Sequence, residues 1–150
     1  MEFFIQPSNP FNKIEKWDAP EINDLFPANE NVDPNTNLTV YEFLKTEQGI
    51  GWDWSTKRKL APGDKIFIYF SKNISRIWCL TEVETIRVVE NRARPLVAYL
   101  KKIYWLNDEE SQKLSYADLR NNGLKNNLPR LTNITNNFEL MNYIQSIVHL

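Results

Sequence analysis

The residues that could do chemistry lie mainly between positions 52 and 83. This run begins with Trp52 and Trp54, and two β-strand patterns follow a Pro-Gly-Asp turn at 62–64. Between the tryptophans and the turn lies a basic cluster, which consists of Lys57, Arg58 and Lys59. Flat aromatic rings stack on nucleobases, and lysine and arginine side chains bind phosphate groups. The run therefore predicts a site for a flat, anionic ligand.

The aromatic residues also have a simpler explanation, which is that they fill the core. For any single ring a place in the core is the commoner outcome, and we expect it for Trp78. However, aromatics make up 13% of the chain and include 5 tryptophans. Their grouping favours a site, because Trp17 follows the first strand pattern and Trp52 and Trp54 come just before the basic cluster.

The remaining reactive residue types argue against catalysis. His149 is the only histidine and none of the 4 glycines has phosphate-loop spacing. A multi-histidine metal site and a nucleotide-phosphate loop are therefore excluded, and because His149 lies in the last predicted helix we expect no Ser-His-Asp triad. Cys79 lies in an apolar strand pattern, where we expect an inert buried thiol. Asp53 has two interpretations, a structural hydrogen bond to nearby backbone or a polar contact to a base edge. We expect no enzyme, no metal and no cofactor.

Length and charge limit the possible classes of protein. A chain of 150 residues fits one domain, 1–150. With 18 basic and 19 acidic residues the net charge is −1, so any binding of nucleic acid must rely on a local patch. The single cysteine suits a reducing compartment. Since no apolar run approaches the ~20 residues that span a bilayer and no leader pattern is present, we expect a cytoplasmic protein without membrane contact.

Hydrophobic patterns predict the elements that would position these residues. A Thr39/Glu42 capping box begins a helix that should end near Gln48, with Gly49 as its left-handed stop. The other predicted elements are strands over 3–6, 65–71, 76–83, 85–90 and 96–105, helices over 115–123 and 138–148, and a long loop from Asp18 to Asn37. The fold class is α+β: a curved sheet or small barrel of five to six strands, surrounded by helices.

The strand over 65–71 is apolar on both faces. Alternation places Ile66, Ile68 and Phe70 on one face, and Phe67 and Tyr69 on the other. A strand with two apolar faces is central in its sheet or lines a barrel. The short polar connection from Lys72 to Ser75 then predicts a β-hairpin.

Several of these segments together resemble a known family. The run W-x-W-S-T-K-R-K-L-A-P-G-D-K-I-F-I-Y-F-S-K, followed by a strand ending T-E-V, resembles the EVE domain of the PUA-like superfamily. The opening FFIQPSNPFNKIEKW and the later SYADLRNNGLK resemble the start of that domain and one of its helix ends. The matches cover nearly the whole chain in the family's order. The hairpin YFSKNISRIWCLTEV is also similar to the core of YTH domains, relatives that bind methylated adenine in RNA.

The resemblance implies a PUA-like sheet that recognises a modified, methylated base in DNA or RNA without catalysis. By this resemblance the base would be flipped into an aromatic pocket lined by Trp17, Trp52 or Trp54, Tyr69, Phe70, Ser71 and Lys72. Phosphate groups would be held by Lys57, Arg58, Lys59 and Arg76, with Arg92 and Arg94 as a second patch. A fused or associated nuclease or NTPase, in a restriction-type defence role, is implied by family analogy.

Two other function classes remain open. One is a protein-interaction or targeting module whose tryptophans are structural, which the near-zero net charge favours. The other is a hydrolytic enzyme of PUA-like shape that uses Asp53 or neighbouring carboxylates. No paired acid, base or metal constellation in the sequence supports the hydrolase.

Overall fold

The computed structural model describes residues 1–14, 38–56 and 58–149. They form a six-stranded curved, open sheet with four helices, a mixed α+β fold as predicted. In chain order the elements are β1 (Phe3–Ser8), α1 (Val40–Thr46), β2 (Gly49–Trp54), β3 (Lys65–Phe70), β4 (Arg76–Val88), β5 (Leu96–Trp105), α2 (Asp108–Gln112), α3 (Tyr116–Asn121), β6 (Thr132–Asn133) and α4 (Phe138–Ile147).

The strands lie in the order β2-β5-β4-β3-β1-β6. β1 runs parallel to β3, and the other pairings are antiparallel. As alternation predicts, Ile66, Ile68 and Phe70 lie on one face of β3, and Phe67 and Tyr69 lie on the other. We call these the inner face and the outer face. α1 packs on the inner face, and α3 and α4 cover the outer face with residues such as Leu119 and Ile144.

One hydrogen bond shows how strongly the sheet curves. The Trp54 indole Nε1 on β2 donates to Gln6 Oε1 on β1 at 2.8 Å, and both side chains are buried. Three other strands separate β2 from β1 in the sheet order. The sheet must therefore curl until its first and fifth strands meet across the inner face, although no ladder closes it into a barrel.

The capping and turn residues predicted from short stretches of sequence occupy those positions in the structure. The capping box joins Thr39 and Glu42 at the start of α1. Asp64 ends the Pro-Gly-Asp turn by accepting hydrogen bonds from the Ala61 and Glu2 amides at 2.9 Å. Ser115 caps α3, and Gly123 follows that helix with a φ of 113°.

Three predictions about secondary structure and burial differ from the structure. The strands predicted over 76–83 and 85–90 are a single strand, because a bulge between Val83 and Thr85 lets β4 bend without ending. Gly49 is not a helix stop but the first residue of β2, where a Cβ would lie 2.4 Å from the Leu100 carbonyl oxygen. The amphipathic pattern of the predicted helix over 138–148 places Phe138 on its apolar stripe, together with Met141 and Ile144, but Phe138 is 73% exposed. The predicted loop from Asp18 to Asn37 lies outside the described residues.

The described helices are short. The longest, α4, has 10 residues, whereas a bilayer requires ~20. Within the described ranges, no helix is long and apolar enough to cross a membrane.

Candidate functional site

The two tryptophans of β2 have different environments. Trp54 is only 6% exposed, and its indole nitrogen is already bonded to Gln6. It therefore supports the inner face and offers no surface for stacking. Trp52, two residues earlier on the same face, packs against the inner core but stays partly exposed. Of the pair, Trp52 is the one that a ligand can reach.

Tyr69 does not join these tryptophans. It lies on the outer face, where its ring meets Tyr116 edge-on at 6.5 Å. Burial raises the pKa of the Tyr69 hydroxyl, and a hydrogen bond with the Ser75 side chain partly offsets that rise. Because Phe70 follows Tyr69 by one residue, strand alternation turns it to the inner face, where it is fully buried. The described residues therefore do not form the single pocket that the resemblance implies.

The rings that do meet form what we call the aromatic corner. Tyr41 of α1 lies 5.6 Å from Phe70, 6.1 Å from Trp78 and 5.5 Å from Trp105, measured between ring centroids. Trp78 and Trp105 are stacked, with centroids 5.8 Å apart and planes inclined by 29°. Phe70 completes the group at 6.4 Å from Trp105. One helix and three strands thus bring four rings to one end of the sheet.

The corner is filled rather than hollow. One face of Trp78 contacts Trp105, and the Arg76 guanidinium lies 5.2 Å from the centroid of the Trp78 ring. The Lys102 ammonium is 6.0 Å from the centroid of Trp105. No slot for a base therefore exists between Trp78 and Trp105. Tyr41 and Trp105 remain partly exposed, so their free surfaces are the ones available for stacking.

Two buried donors among the described residues lack acceptors. The Trp78 Nε1 and Arg58 Nε atoms are buried without a hydrogen-bond partner. A buried unsatisfied donor costs about 1–3 kcal/mol, more when it is charged. Trp78, predicted to be core, is indeed buried at 9% exposure, yet its polar atom is left unsatisfied.

Most of the predicted phosphate-binding arginines are paired with acids. Arg92 and Arg94 lie 3.4 and 3.5 Å from the Asp53 carboxylate. Asp53 thus forms ion pairs with two arginines of the β4–β5 turn. Neither of the two predicted roles of Asp53 was an ion pair. Arg76 is 3.7 Å from Asp108.

Lys102 has partners in the fold, whereas Lys59 and Lys72 do not have acid partners among the described residues. Lys102 Nζ donates to the carbonyls of Leu44 and Lys45 at 2.8 and 3.1 Å, at the end of α1. Lys59 and Lys72 are exposed, and the described part of the chain places no carboxylate within ion-pair distance of either.

Ser71 of the predicted pocket donates its hydroxyl to the Ser8 carbonyl at 3.1 Å. Trp17 and Lys57 lie outside the described residues.

Sequence reasoning missed the part that Tyr41 and Trp105 play. Regular alternation along β5 would place Trp105 on the outer face, opposite Leu100. An irregularity opposite Leu80 and Thr81 shifts the register, so Trp105 turns inward and Tyr104 outward. The Lys101-Lys102 pair, which interrupts the apolar run of this strand, was the one visible sign of an irregular environment.

The reactive groups of the described residues offer little chemistry. Burial raises the pKa of the Cys79 thiol to about 12, so the thiol is protonated at neutral pH. No group of three or more His, Cys, Asp or Glu side chains in the described ranges is arranged to hold a metal ion.

Comparison with known proteins defines the fold alone. No protein-family model and no curated protein matches the chain. The NMR structure of Rpa0253 from Rhodopseudomonas palustris is similar, with a TM-score of 0.54, 13% identity, and coverage of 98% of this chain and 93% of that one. The crystal structure of Atu2648 from Agrobacterium tumefaciens has a TM-score of 0.52 and 13% identity, over 97% of this chain and 92% of that one.

Proposed function

We propose that the chain is a non-catalytic module that binds nucleic acid and recognises a modified, methylated base. The observation that carries the proposal is the aromatic corner, in which the partly exposed Tyr41 and Trp105 rings pack together and the Lys102 ammonium lies 6.0 Å from the centroid of Trp105. Stacking rings beside positive charge are the features that bind single-stranded or flipped bases. The resemblance to EVE domains, and the nuclease or NTPase partner that it implies, belong to the same proposal.

In this proposal the base lies on the corner instead of inside a cage. It stacks on the free surface of Trp105 and against Tyr41. The Trp78 Nε1 donor, buried and unpartnered in the free chain, gains an acceptor if the corner opens slightly on binding. Stacking contributes about 1–3 kcal/mol per base, and a methyl group that becomes buried adds around 1 kcal/mol. Discrimination of the modified base is therefore about fivefold to tenfold.

The contacts differ from those expected from the sequence. Trp54 and Tyr69 act as structural residues in this proposal, because one is buried and hydrogen-bonded and the other lies on the outer face. Trp52 remains a second stacking surface. Lys59 and Lys72 replace Arg92 and Arg94 as phosphate contacts, because no acid neutralises them in the described part of the chain.

The test is a titration of methylated and unmodified oligonucleotides, in DNA and in RNA, against the wild type and the Tyr41→Ala, Trp105→Ala and Trp52→Ala variants. We expect each variant at the corner to weaken binding by about tenfold, which corresponds to the loss of one stacking contact. Tyr104→Ala is the matched control, because Tyr104 is an exposed ring on the outer side of the same strand. Circular dichroism of each variant separates lost contacts from lost folding.

Two results would contradict the proposal. One is the absence of binding to any of the oligonucleotides. The other is an affinity that is the same for methylated and unmodified oligonucleotides and is unchanged by the substitutions at the corner. Protein-partner binding that is insensitive to salt would instead support the interaction-module alternative.

A further inference from the structure

The hairpin between β3 and β4 has an unusual backbone. We call residues Ser71–Ser75 the hairpin tip. Lys72, Asn73 and Ser75 have φ angles of 52°, 65° and 53°, in the left-handed region. Asparagine tolerates this region, whereas lysine and serine side chains adopt it at a cost in energy. Tight hairpins that require successive positive φ angles normally use Asn-Gly or Asp-Gly. Here a lysine occupies a position that glycine or asparagine would fill with less strain.

The surrounding structure holds the tip in this conformation. At one end, the Ser71 amide and hydroxyl both donate to the Ser8 carbonyl, at 2.9 and 3.1 Å. At the other end, the Tyr116 amide donates to the Ser75 carbonyl at 2.9 Å. Between them, Ile74 packs against the inner core. Strained conformations persist where several neighbouring contacts hold the backbone in place, and they are concentrated at functional sites.

The tip also lies beside the aromatic corner. It directly follows Phe70 and directly precedes Arg76, whose guanidinium lies over the ring of Trp78. Lys72 is exposed, and the described residues supply no acid within ion-pair distance of it. Within the tip, Lys72 thus lies two residues after Phe70 of the aromatic corner, and it carries a charge that no acid of the described residues neutralises.

We propose that the hairpin tip is a preformed phosphate-binding element of this site, in which the left-handed backbone at Lys72 and Asn73 holds the Lys72 ammonium group ready for a phosphate of the bound nucleic acid. The proposal rests on the nucleic-acid-binding function above. A lysine on a backbone that is already fixed loses less conformational freedom on binding, so it contributes more to affinity than a lysine on a mobile loop does. This role explains why a strained lysine occupies the position.

The test compares three variants with the wild type on one oligonucleotide over a range of salt concentrations. Lys72→Ala should raise Kd about fivefold and reduce the log–log salt slope by about one phosphate contact. Lys72→Gly should weaken binding at least as much, yet its Tm should exceed that of Lys72→Ala because glycine relieves the strain. Lys125→Ala, which removes an exposed lysine between the outer helices, is the control and should change neither Kd nor slope.

A further variant separates position from charge. Asn73→Gly retains the Lys72 charge but loosens the tip, so Kd should rise about threefold while the salt slope stays that of the wild type. If Lys72→Ala binds like Lys125→Ala, the proposal for the tip is wrong although the function stands. If Asn73→Gly leaves Kd unchanged, or Lys72→Gly melts no higher than Lys72→Ala, preorganisation by strain is wrong. If the wild type binds no oligonucleotide, both proposals fail together.

Discussion

At Gly49 the backbone of β2 passes so close to β5 that a side chain has no room. An added Cβ would lie 2.4 Å from the Leu100 carbonyl oxygen, 2.6 Å from the Tyr99 hydroxyl oxygen and 2.7 Å from the Tyr99 ring. Gly49→Ala should therefore destabilise the chain by about 3 kcal/mol, at the upper end of overpacking costs. Urea unfolding measures the effect. Gln48→Ala, at the exposed neighbouring position, is the control, and equal midpoints for the two variants would contradict the prediction.

The Cys79 thiol makes stability depend on alkaline pH. Its folded pKa is raised to about 12 by burial, whereas an unfolded thiol ionises near ~8.5. Between these values the unfolded state releases a proton that the native state retains, so stability falls as pH rises. From pH 8 to 10 the wild type should lose about 1–2 kcal/mol more than Cys79→Ala. Urea midpoints of both proteins at the two pH values measure this difference, and parallel losses would show that the thiol is not the cause.

At the level of elements, the β4–β5 turn is tied to the edge strand β2. Arg92 and Arg94 reach from this turn to Asp53. Asp53→Asn should release the turn and increase amide exchange over residues 89–95, with a loss of global stability below ~1 kcal/mol, since the ion pairs are partly solvated. Hydrogen–deuterium exchange by mass spectrometry tests this. Glu109→Gln removes an exposed pair with Lys113 and should leave the turn unchanged.

The elements that were predicted correctly are those specified by residues close in sequence. The capping box of α1, the two faces of β3 and the hairpin after it each depend on a few neighbouring side chains. The errors come from contacts between distant residues. Whether β4 continues past Val83 depends on a bulge against β5, and whether Gly49 ends a helix depends on how closely β5 approaches.

The candidate site was predicted in part, for the same reason. Of the four rings in the aromatic corner, the resemblance placed Phe70 in the predicted pocket, and Trp78 was expected in the core. The resemblance to EVE domains grouped Tyr69 with Trp52 or Trp54, whereas alternation places Tyr69 on the outer face. Trp105 reaches the corner only through an irregularity in β5. No spacing rule in a single sequence locates such an irregularity.

At the scale of the whole molecule, the Trp54–Gln6 hydrogen bond joins the two sides of the curved sheet. Gln6→Leu removes the acceptor and leaves a buried indole N–H unsatisfied, which should cost about 1–3 kcal/mol. The double variant Gln6→Leu/Trp54→Phe should cost less than the sum of the two single variants, because no orphan donor remains. Urea unfolding measures all three. Gln145→Leu, at an exposed position of α4, is the control, and strict additivity would argue against this bond.

The position of β1 has a consequence for how the chain folds. This strand lies inside the sheet, between β3 and β6. The Glu2 amide bonds to Asp64, 62 residues away, and the Phe3 amide bonds to Thr135, 132 residues away. Closing such long loops costs entropy before the contacts form. The folding rate should therefore be low for a protein of this size. During synthesis β1 leaves the ribosome before the other described strands but acquires its second neighbour only after residue 133 has emerged. Until then one edge of β1 is unpaired and open to aggregation, which favours assistance by chaperones.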